Sequence, residues 1–482
     1  MKFIPTFDSL RQYQCPDWFR DAKFGIWSHW GPQSVPMFGD WYARKMYIEG
    51  SPQYLYHLRH YGHPSKFGYK DLCALWKAER FDPDGLMDLY VKAGARYFVA
   101  LATHHDHFFN FPSVYNRFNS VQMGPCKDIC GMWKQAADRH GLPFGLTEHL
   151  AASFSWWAVN KGHDTYGPYK DIPYDGNDPA YRDFYYDNEE HITTNGKVDP
   201  WYTANPAFQK YWRNVMHELI DLYQPDLLYS DGALPFGAIG ESSPEDTAFS
   251  SGLEIVAHLY NSSIEKYGEN RAVYNQKDRR PEIYEVGVLD IEKSQLPDIL
   301  PQPWQTDTCI GNWFYDAQQS FKRPGHIIEM LIDIVAKNGT MLLNVLQRPD
   351  GSLDDETLYI LNELSSWFPI CGEGIYGTRP WRISGEGNSK VAIRGFQEDA
   401  VDWSPADIRF TQKNGTLYAF LFRTASNHVA VIESLTPEEK VGAVRLLGYG
   451  TVPFSQNFGV LTVQLPEKLP TPYANCLAID FL

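Results

Sequence analysis

The sequence predicts an α/β protein: a (β/α)8-like barrel over residues 1–381, followed by a C-terminal antiparallel β-sandwich over residues 382–482. Three observations predict it. Up to about residue 380, short apolar runs alternate with amphipathic stretches, as strands that return through helices do. Those runs end in polar clusters, and the C-terminal strand ends of a barrel form the mouth where sites are built. Beyond residue 381 the texture changes to short strands separated by turn residues.

Phe24 to Trp27 is the first predicted strand and leads into Ser28-His29-Trp30-Gly31. A helical stretch over 84–94 precedes Tyr97 to Ala102, which runs into Thr103-His104-His105-Asp106. A helix around 128–140 precedes Phe144-Gly145-Leu146, which ends in Thr147-Glu148-His149. Helix 206–223 precedes Leu227-Leu228-Tyr229, which ends in Ser230-Asp231-Gly232. Helix 251–267 precedes Ala272 to Asn275, and a helix near 325–337 precedes Met341 to Val345. Asp354 to Phe368 reads as the last helix of the barrel, with Ile360, Leu361, Leu364 and Trp367 mostly on one side. In the C-terminal region, Ile408 to Thr411, Thr416 to Phe422, Val429 to Ile432 and Val460 to Val463 read as strands, and Asn414-Gly415 is a hairpin turn. The stretch 151–205 is rich in Trp, Tyr, Asp, Gly and Pro with little periodicity. Its expected use is an active-site wall or a contact within a homo-oligomer.

Composition bounds the function. Hydrophobic residues make up 43% and charged residues 21% of the 482, as in a soluble globular enzyme. The net charge of −16 excludes nucleic acid and an anionic membrane as natural partners, because binding phosphate needs a basic footprint. Aromatic content is high, with 15 Trp and 30 Tyr, whose flat faces and polar edges suit pyranose rings. The seven cysteines are scattered and odd in number, so neither a disulfide framework nor a zinc site is expected. Reduced thiols, an N-terminus without the apolar region of a signal peptide and no run of membrane-spanning length lead to a cytoplasmic expectation, or a secreted or periplasmic one if a signal was removed.

Asp231, a carboxylate closing a short apolar run before a glycine, is the first catalytic candidate. Glu292 is the second, with Asp290 and Asp298 as rivals. Hydrolysis of a glycosidic bond needs two carboxyl groups, about 5–5.5 Å apart when one is a nucleophile and about 6.5–9.5 Å apart when both act through water. His104, His105, Asp106 and His107 crowd one strand end and invite a metal reading. Against it, an extended chain sends neighbouring residues to opposite faces, so His104 and His105 are not expected to converge on one ion. His29 between two tryptophans, with Asp40-Trp41-Tyr42 shortly after, has the makings of a sugar subsite. The serine-hydrolase and phosphate-loop motifs are absent, and Gly372 to Gly377 spells G-x-G-x-x-G in a loop after a helix, the wrong context for a dinucleotide.

At this point the motifs resemble the α-L-fucosidases of glycoside hydrolase family 29. Ala22 to Gly31 with Ser34-Val35-Pro36 and Asp40-Trp41-Tyr42 is similar to that family's opening, and Thr103 to Asp106 to its paired-histidine motif. Tyr229-Ser230-Asp231-Gly232 resembles the nucleophile motif, Pro303 to Thr306 with Ile310 to Tyr315 the later tryptophan-rich one, and Ile375 to Trp381 the segment closing the catalytic domain. The resemblance implies a retaining exo-glycosidase that removes terminal α-L-fucosyl units from a glycan or oligosaccharide and needs no cofactor and no metal. Asp231 is then the nucleophile, and Glu292, about a dozen residues before Trp304, the acid/base. His29, His104 and His105 match residues that hold the sugar's hydroxyls, and Trp313 one that packs near the fucose methyl.

Departures from the family pattern add candidates. Asp40 stands where many members have glutamate, Lys277 where an arginine is common, and Gln305 where a glutamate is frequent. Glu148 and His149 replace a usual tyrosine and serine and are expected to contact substrate, alongside Asp40, Trp41 and Lys277. These differences keep an α-L-galactosidase open, since a pocket for a methyl group rejects an added hydroxyl only modestly. A metal-dependent barrel hydrolase is the rival of a different class, and a non-catalytic sugar-binding relative the third.

Overall fold

The structure, a computed structural model, describes residues 2–188, 200–238, 241–391, 393, 395, 396 and 398–482. Its centre is a closed barrel of parallel strands in sequence order. These are β1 (Phe24–Ser28), β2 (Phe98–Thr103), β3 (Phe144–Glu148), β4 (Leu227–Ser230), β5 (Val273–Gln276), β6 (Val288–Asp290), β7 (Trp304–Cys309) and β8 (Gly339–Asn344). β1 closes the barrel against β8, with Phe24 opposite Met341 and Trp27 opposite Asn344. Every strand residue is buried, as in a sheet filled inside by side chains and covered outside by helices. Packing is tight at Gly25, where a Cβ would lie 2.3 Å from the Tyr97 ring.

Helices α1 (Pro83–Lys92), α2 (Ile129–Arg139), α3 (Pro206–Tyr223), α4 (Ser250–Tyr267), α5 (Pro324–Ala336) and α6 (Asp355–Cys371) fall where the apolar periodicity put them. Their starts follow from local chemistry. Asp82, Asp128, Asn205 and Asp354 each accept a first-turn N–H, and Pro occupies the first turn of α1, α3 and α5.

β6 and β7 were not among the predicted strands. β6 has 3 residues, and β7 reads Trp-Gln-Thr-Asp-Thr-Cys, with polar groups turned toward the barrel interior. There Tyr97 Oη donates to Gln305 Oε1 at 2.9 Å, and Gln305 Nε2 donates to Asp290 Oδ1 at 2.8 Å. Polar groups satisfied inside a barrel erase the hydrophobic signal that a sequence reading uses. Among the described residues, the return into β6 is only the 4-residue helix Pro281–Tyr284, and no helix separates β6 from β7.

The C-terminal region holds two antiparallel sheets. One has the order β14-β13-β17-β11-β10-β9 and the other β12-β16-β15. The strands are β9 (Arg379–Glu386), β10 (Ile408–Lys413), β11 (Thr416–Leu421), β12 (Val429–Ile432), β13 (Val441–Leu446), β14 (Gly450–Thr451), β15 (Phe454–Asn457), β16 (Val460–Gln464) and β17 (Asn475–Phe481). β9 starts at Arg379, ahead of the expected change at residue 381, and pairs with β10. Asn414 and Gly415 turn the β10–β11 hairpin with φ of 52° and 85°, the left-handed pair that such a turn demands. β11 alternates between two cores. Leu417, Ala419 and Leu421 pack inside the sandwich, while Tyr418 and Phe420 join the barrel's apolar core beside α6.

Of the insertion 151–205, residues 189–199 lie outside the described residues. The rest forms short helical turns that bury Trp156 and Trp157 completely and bring Trp201 to the barrel mouth. Among the described residues, no helix is long and apolar enough to cross a membrane.

Candidate active site

The strand ends enclose a cavity of about 490 Å³, within the ~300–1,000 Å³ common for small-molecule sites. Ten of the eleven residues expected to catalyse or contact substrate line it; Glu148 does not, nor do Asp106, His107, Asp290 and Asp298. Glu148 is the last residue of β3, and its carboxyl turns away from the cavity. It accepts the Leu150 N–H at 2.9 Å, the Ala151 N–H at 3.3 Å and the Trp212 indole N–H at 3.1 Å. The expected sugar contact is therefore corrected to a brace. Strand alternation explains it, since His149, one residue on, faces the cavity.

Asp231 follows β4 directly. The next residue, Gly232, has φ +111°, and a Cβ there would meet the Tyr202 hydroxyl at 2.5 Å, so only glycine fits. Lys277 Nζ lies 2.7 Å from Asp231 Oδ1, and the Tyr229 hydroxyl donates to the same oxygen at 3.1 Å. His105 Nε2 and His149 Nδ1 approach Asp231 Oδ2 at 3.1 and 3.3 Å. Burial alone would raise the Asp231 pKa. Lys277 and the two imidazoles outweigh it and hold the carboxyl well below its usual range.

Glu292 lies across the cavity, two residues beyond the end of β6. Its Oε2 accepts from Lys277 Nζ, and its Oε1 accepts the Trp313 indole N–H at 3.1 Å. Burial, helped by Asp307 and Asp231, raises its pKa even against Lys277. Lys277 itself would be pulled down by burial, but the carboxyls of Asp231, Glu292, Asp307 and Asp290 hold it well above the usual ammonium value. Because one ammonium touches an oxygen of each acid, those two oxygens lie no farther apart than two hydrogen-bond lengths, about 6 Å.

The opposite wall is imidazole. His29, His104 and His149 rings lie 5.0–5.4 Å apart by centroid. Burial, followed by neighbouring histidines, pushes His29 and His104 well below the usual imidazole value, and burial takes His149 down to about 4 despite Asp231. His104 and His105 were expected on opposite faces, yet both reach the cavity, with centroids 4.6 Å apart. β2 ends at Thr103, and the His107 N–H bonds back to the His104 carbonyl, so a turn replaces strand alternation.

Imidazoles this close together raise the question of a metal. Among the described residues, His29 with His104 and His149, and His105 with His149 and Asp231, have candidate ligand atoms within 4.8 Å of one another. The hydrogen bonding of His104 favours a different ligand. Gln33 Oε1 accepts the Ala43 N–H at 3.3 Å, which points its amide Nε2 at His104 Nδ1, 2.8 Å away. A neutral His104 then carries its proton on Nε2 and offers a donor to the cavity, which suits a hydroxyl oxygen and opposes a cation.

Sequence reasoning missed Trp27, Trp201, Tyr229, Gly232, Lys293, Asp307 and Phe396 as lining residues. Tyr229 stood inside the nucleophile motif and could have been found there. Asp307 lies on the unpredicted β7, with its Oδ2 3.3 Å from the Tyr229 hydroxyl that serves Asp231. Burial and the nearby Asp290 raise Asp307 well above the carboxylate range, and burial raises Asp290 to about 6. The two side chains hydrogen-bond each other, which carboxyls do by sharing a proton. Asp40 is likewise raised to about 6 by burial.

A family model described as alpha-L-fucosidase matches residues 1–373. The tissue alpha-L-fucosidase of Rattus norvegicus is 28% identical over 408 residues, covering 83% of this chain and 78% of its own. The plasma alpha-L-fucosidase of Homo sapiens is 26% identical over 503 residues, covering 99% and 92%. Among solved structures, the Thermotoga maritima alpha-fucosidase in complex with fucose superposes with a TM-score of 0.74 at 26% identity, covering 99% of this chain and 100% of that one. The same enzyme in complex with a mechanism-based inhibitor gives 0.75 at 25% identity, again covering 99% and 100%. A match across barrel, cavity and C-terminal sheets alike leaves one assignment: the chain belongs to the α-L-fucosidase family of glycoside hydrolases.

Proposed function

We propose that the protein hydrolyses terminal α-L-fucosyl linkages with retention, through a covalent glycosyl-aspartate on Asp231. One observation carries this reading. Lys277 contacts an oxygen of each acid and so keeps those two oxygens within about 6 Å, which supports the ~5–5.5 Å spacing of two-step hydrolysis over the ~6.5–9.5 Å of an inverting pair.

The two carboxyls divide the work by environment. Asp231 is kept ionised, as a nucleophile must be, while Glu292 is raised toward the range of a proton donor. In the first step Asp231 attacks the anomeric carbon as Glu292 gives its proton to the departing oxygen. Forming the ester removes the negative charge of Asp231. That charge had raised Glu292, and Lys277 now has Glu292 as its nearest remaining partner. Both changes favour the ionised Glu292, which fits its second task of taking a proton from the attacking water. Two successive inversions return the original anomer.

His29, His104 and His149 supply the polar wall for the sugar hydroxyls, and Trp27 and Trp313, 5.3 Å apart by centroid, an apolar one. The test is hydrolysis of 4-nitrophenyl α-L-fucoside beside the α-L-galactoside and β-D-galactoside, with and without EDTA, following the first-formed anomer by NMR. Preference for the fucoside, indifference to EDTA and α-fucose appearing first are expected. β-Fucose appearing first would overturn the retaining mechanism, and loss of activity in EDTA would return weight to the imidazole cluster as a metal site.

A further inference from the structure

Phe396 sits in the connection between β9 and β10, and among the described residues lining the cavity it is the one supplied by the C-terminal region. It carries two costs that the fold does not need. Its side chain is 68% exposed, and its φ is +61°, a left-handed conformation that a bulky residue rarely adopts. A single exposed aromatic is ordinary, but one held in a strained backbone at the rim of a site points to use.

The surroundings fix where it stands. Glu398 pairs with Lys322 at 2.8 Å, and its carbonyl contacts His326 Nε2 at 3.0 Å. The Trp403 indole donates to Glu329 at 3.1 Å. These contacts fasten the segment to α5 and the chain just before it. Lys322 in turn donates to the Cys309 carbonyl at the end of β7 at 2.6 Å, and the Lys293 N–H donates to the Asp307 carbonyl of the same strand at 2.9 Å, so Phe396 rises on the side of the cavity that carries Glu292. The histidine wall that receives the glycone belongs to β1, β2 and β3.

We propose that Phe396 is the platform of a leaving-group subsite, stacking on the apolar face of a pyranose joined to the fucosyl unit. The inference rests on the fucosidase reading and extends it to the far side of the scissile bond. A ring over Glu292 places the departing oxygen within reach of its proton, and stacking on a C–H face needs no particular hydroxyl pattern.

The experiment compares two substrates on the full chain: α-L-fucosyl fluoride, whose leaving group has no ring, and an α-L-fucosyl-galactose disaccharide. The quantity read is the ratio of kcat/KM for the disaccharide to that for the fluoride. Phe396→Ala is expected to lower this ratio about five- to tenfold, the worth of one aromatic contact, and Phe396→Tyr to keep it. An unchanged ratio in the alanine variant overturns the subsite, and a tyrosine variant that falls as far overturns the stacking. A wild type inert on the fluoride sinks the fucosidase reading and the subsite with it, whereas an active wild type with an unaltered ratio in Phe396→Ala sinks the subsite alone.

Discussion

Lys277 Nζ lies 2.7 Å from Asp231 Oδ1 and is shared with Glu292, so a single ammonium governs both acids. An arginine would present a planar fork with several donors, whereas this ammonium is a compact point charge. Its effects on the two carboxyls are therefore coupled.

Replacing Lys277 by methionine removes an interaction that lowers both Asp231 and Glu292. The acid limb of kcat/KM, set by Asp231 taking up a proton, and the basic limb, set by Glu292 losing one, should both move to higher pH. A profile that narrows from one side, or moves downward, contradicts the shared role.

Asp231→Gly should lower turnover of an aryl fucoside by about 10⁴-fold, since a unit of catalytic groups fails together. Added azide should restore part of the rate and give the β-fucosyl azide, seen by NMR. Wild-type turnover in this variant would remove Asp231 as the nucleophile.

Glu292→Ala should spare leaving groups that depart without a proton. Fucosyl fluoride should retain far more of its rate than a fucosyl disaccharide, by about 10²-fold or more in relative terms. Equal losses on both substrates would assign the acid to another residue.

Asp290 tests the buried carboxyl pair. An unfolded aspartate releases its proton near ~3.9, while folded Asp290 keeps it up to about 6. Between those values the folded state binds more protons, so stability falls as pH rises and stays lower above pH 6. Asp290→Asn keeps an acceptor for Gln305 and offers Asp307 an amide proton. It should raise the Tm at pH 7.5, with up to ~3 kcal/mol to gain, and leave it nearly unmoved at pH 4. Equal shifts at both pH values would show that Asp290 is not the titrating group.

Much of the fold was legible because apolar runs and helical periodicity recur through the barrel, and α3 begins and ends at the residues expected, 206 and 223. β7 was not legible, since Gln305 and Asp307 face a polar interior and lend the strand no apolar alternation. In the site, Asp231, Glu292 and His29 announced themselves through motif and strand-end position. His104 and His105 were harder, because strand alternation does not survive the turn after Thr103. Phe396 had no local signal at all. It lies far along the chain from the barrel strands, and contacts of Glu398 with Lys322 and His326 and of Trp403 with Glu329 hold its segment at the mouth.

β11 gives alternate side chains to two different cores, Leu417 and Ala419 to one and Tyr418 and Phe420 to the other. The six-stranded sheet is thus an internal partition, and neither side has a complete surface of its own. A single calorimetric transition is accordingly expected for the two regions, and two separate transitions would contradict the shared core. A chain ending before β9 would lose the carbonyl of Ala474 that takes the Trp367 indole N–H at 2.8 Å, together with the aromatic cover over α6. The appended sheets therefore serve as part of the barrel's own cover, and a chain without them would present the apolar face of α6 to water.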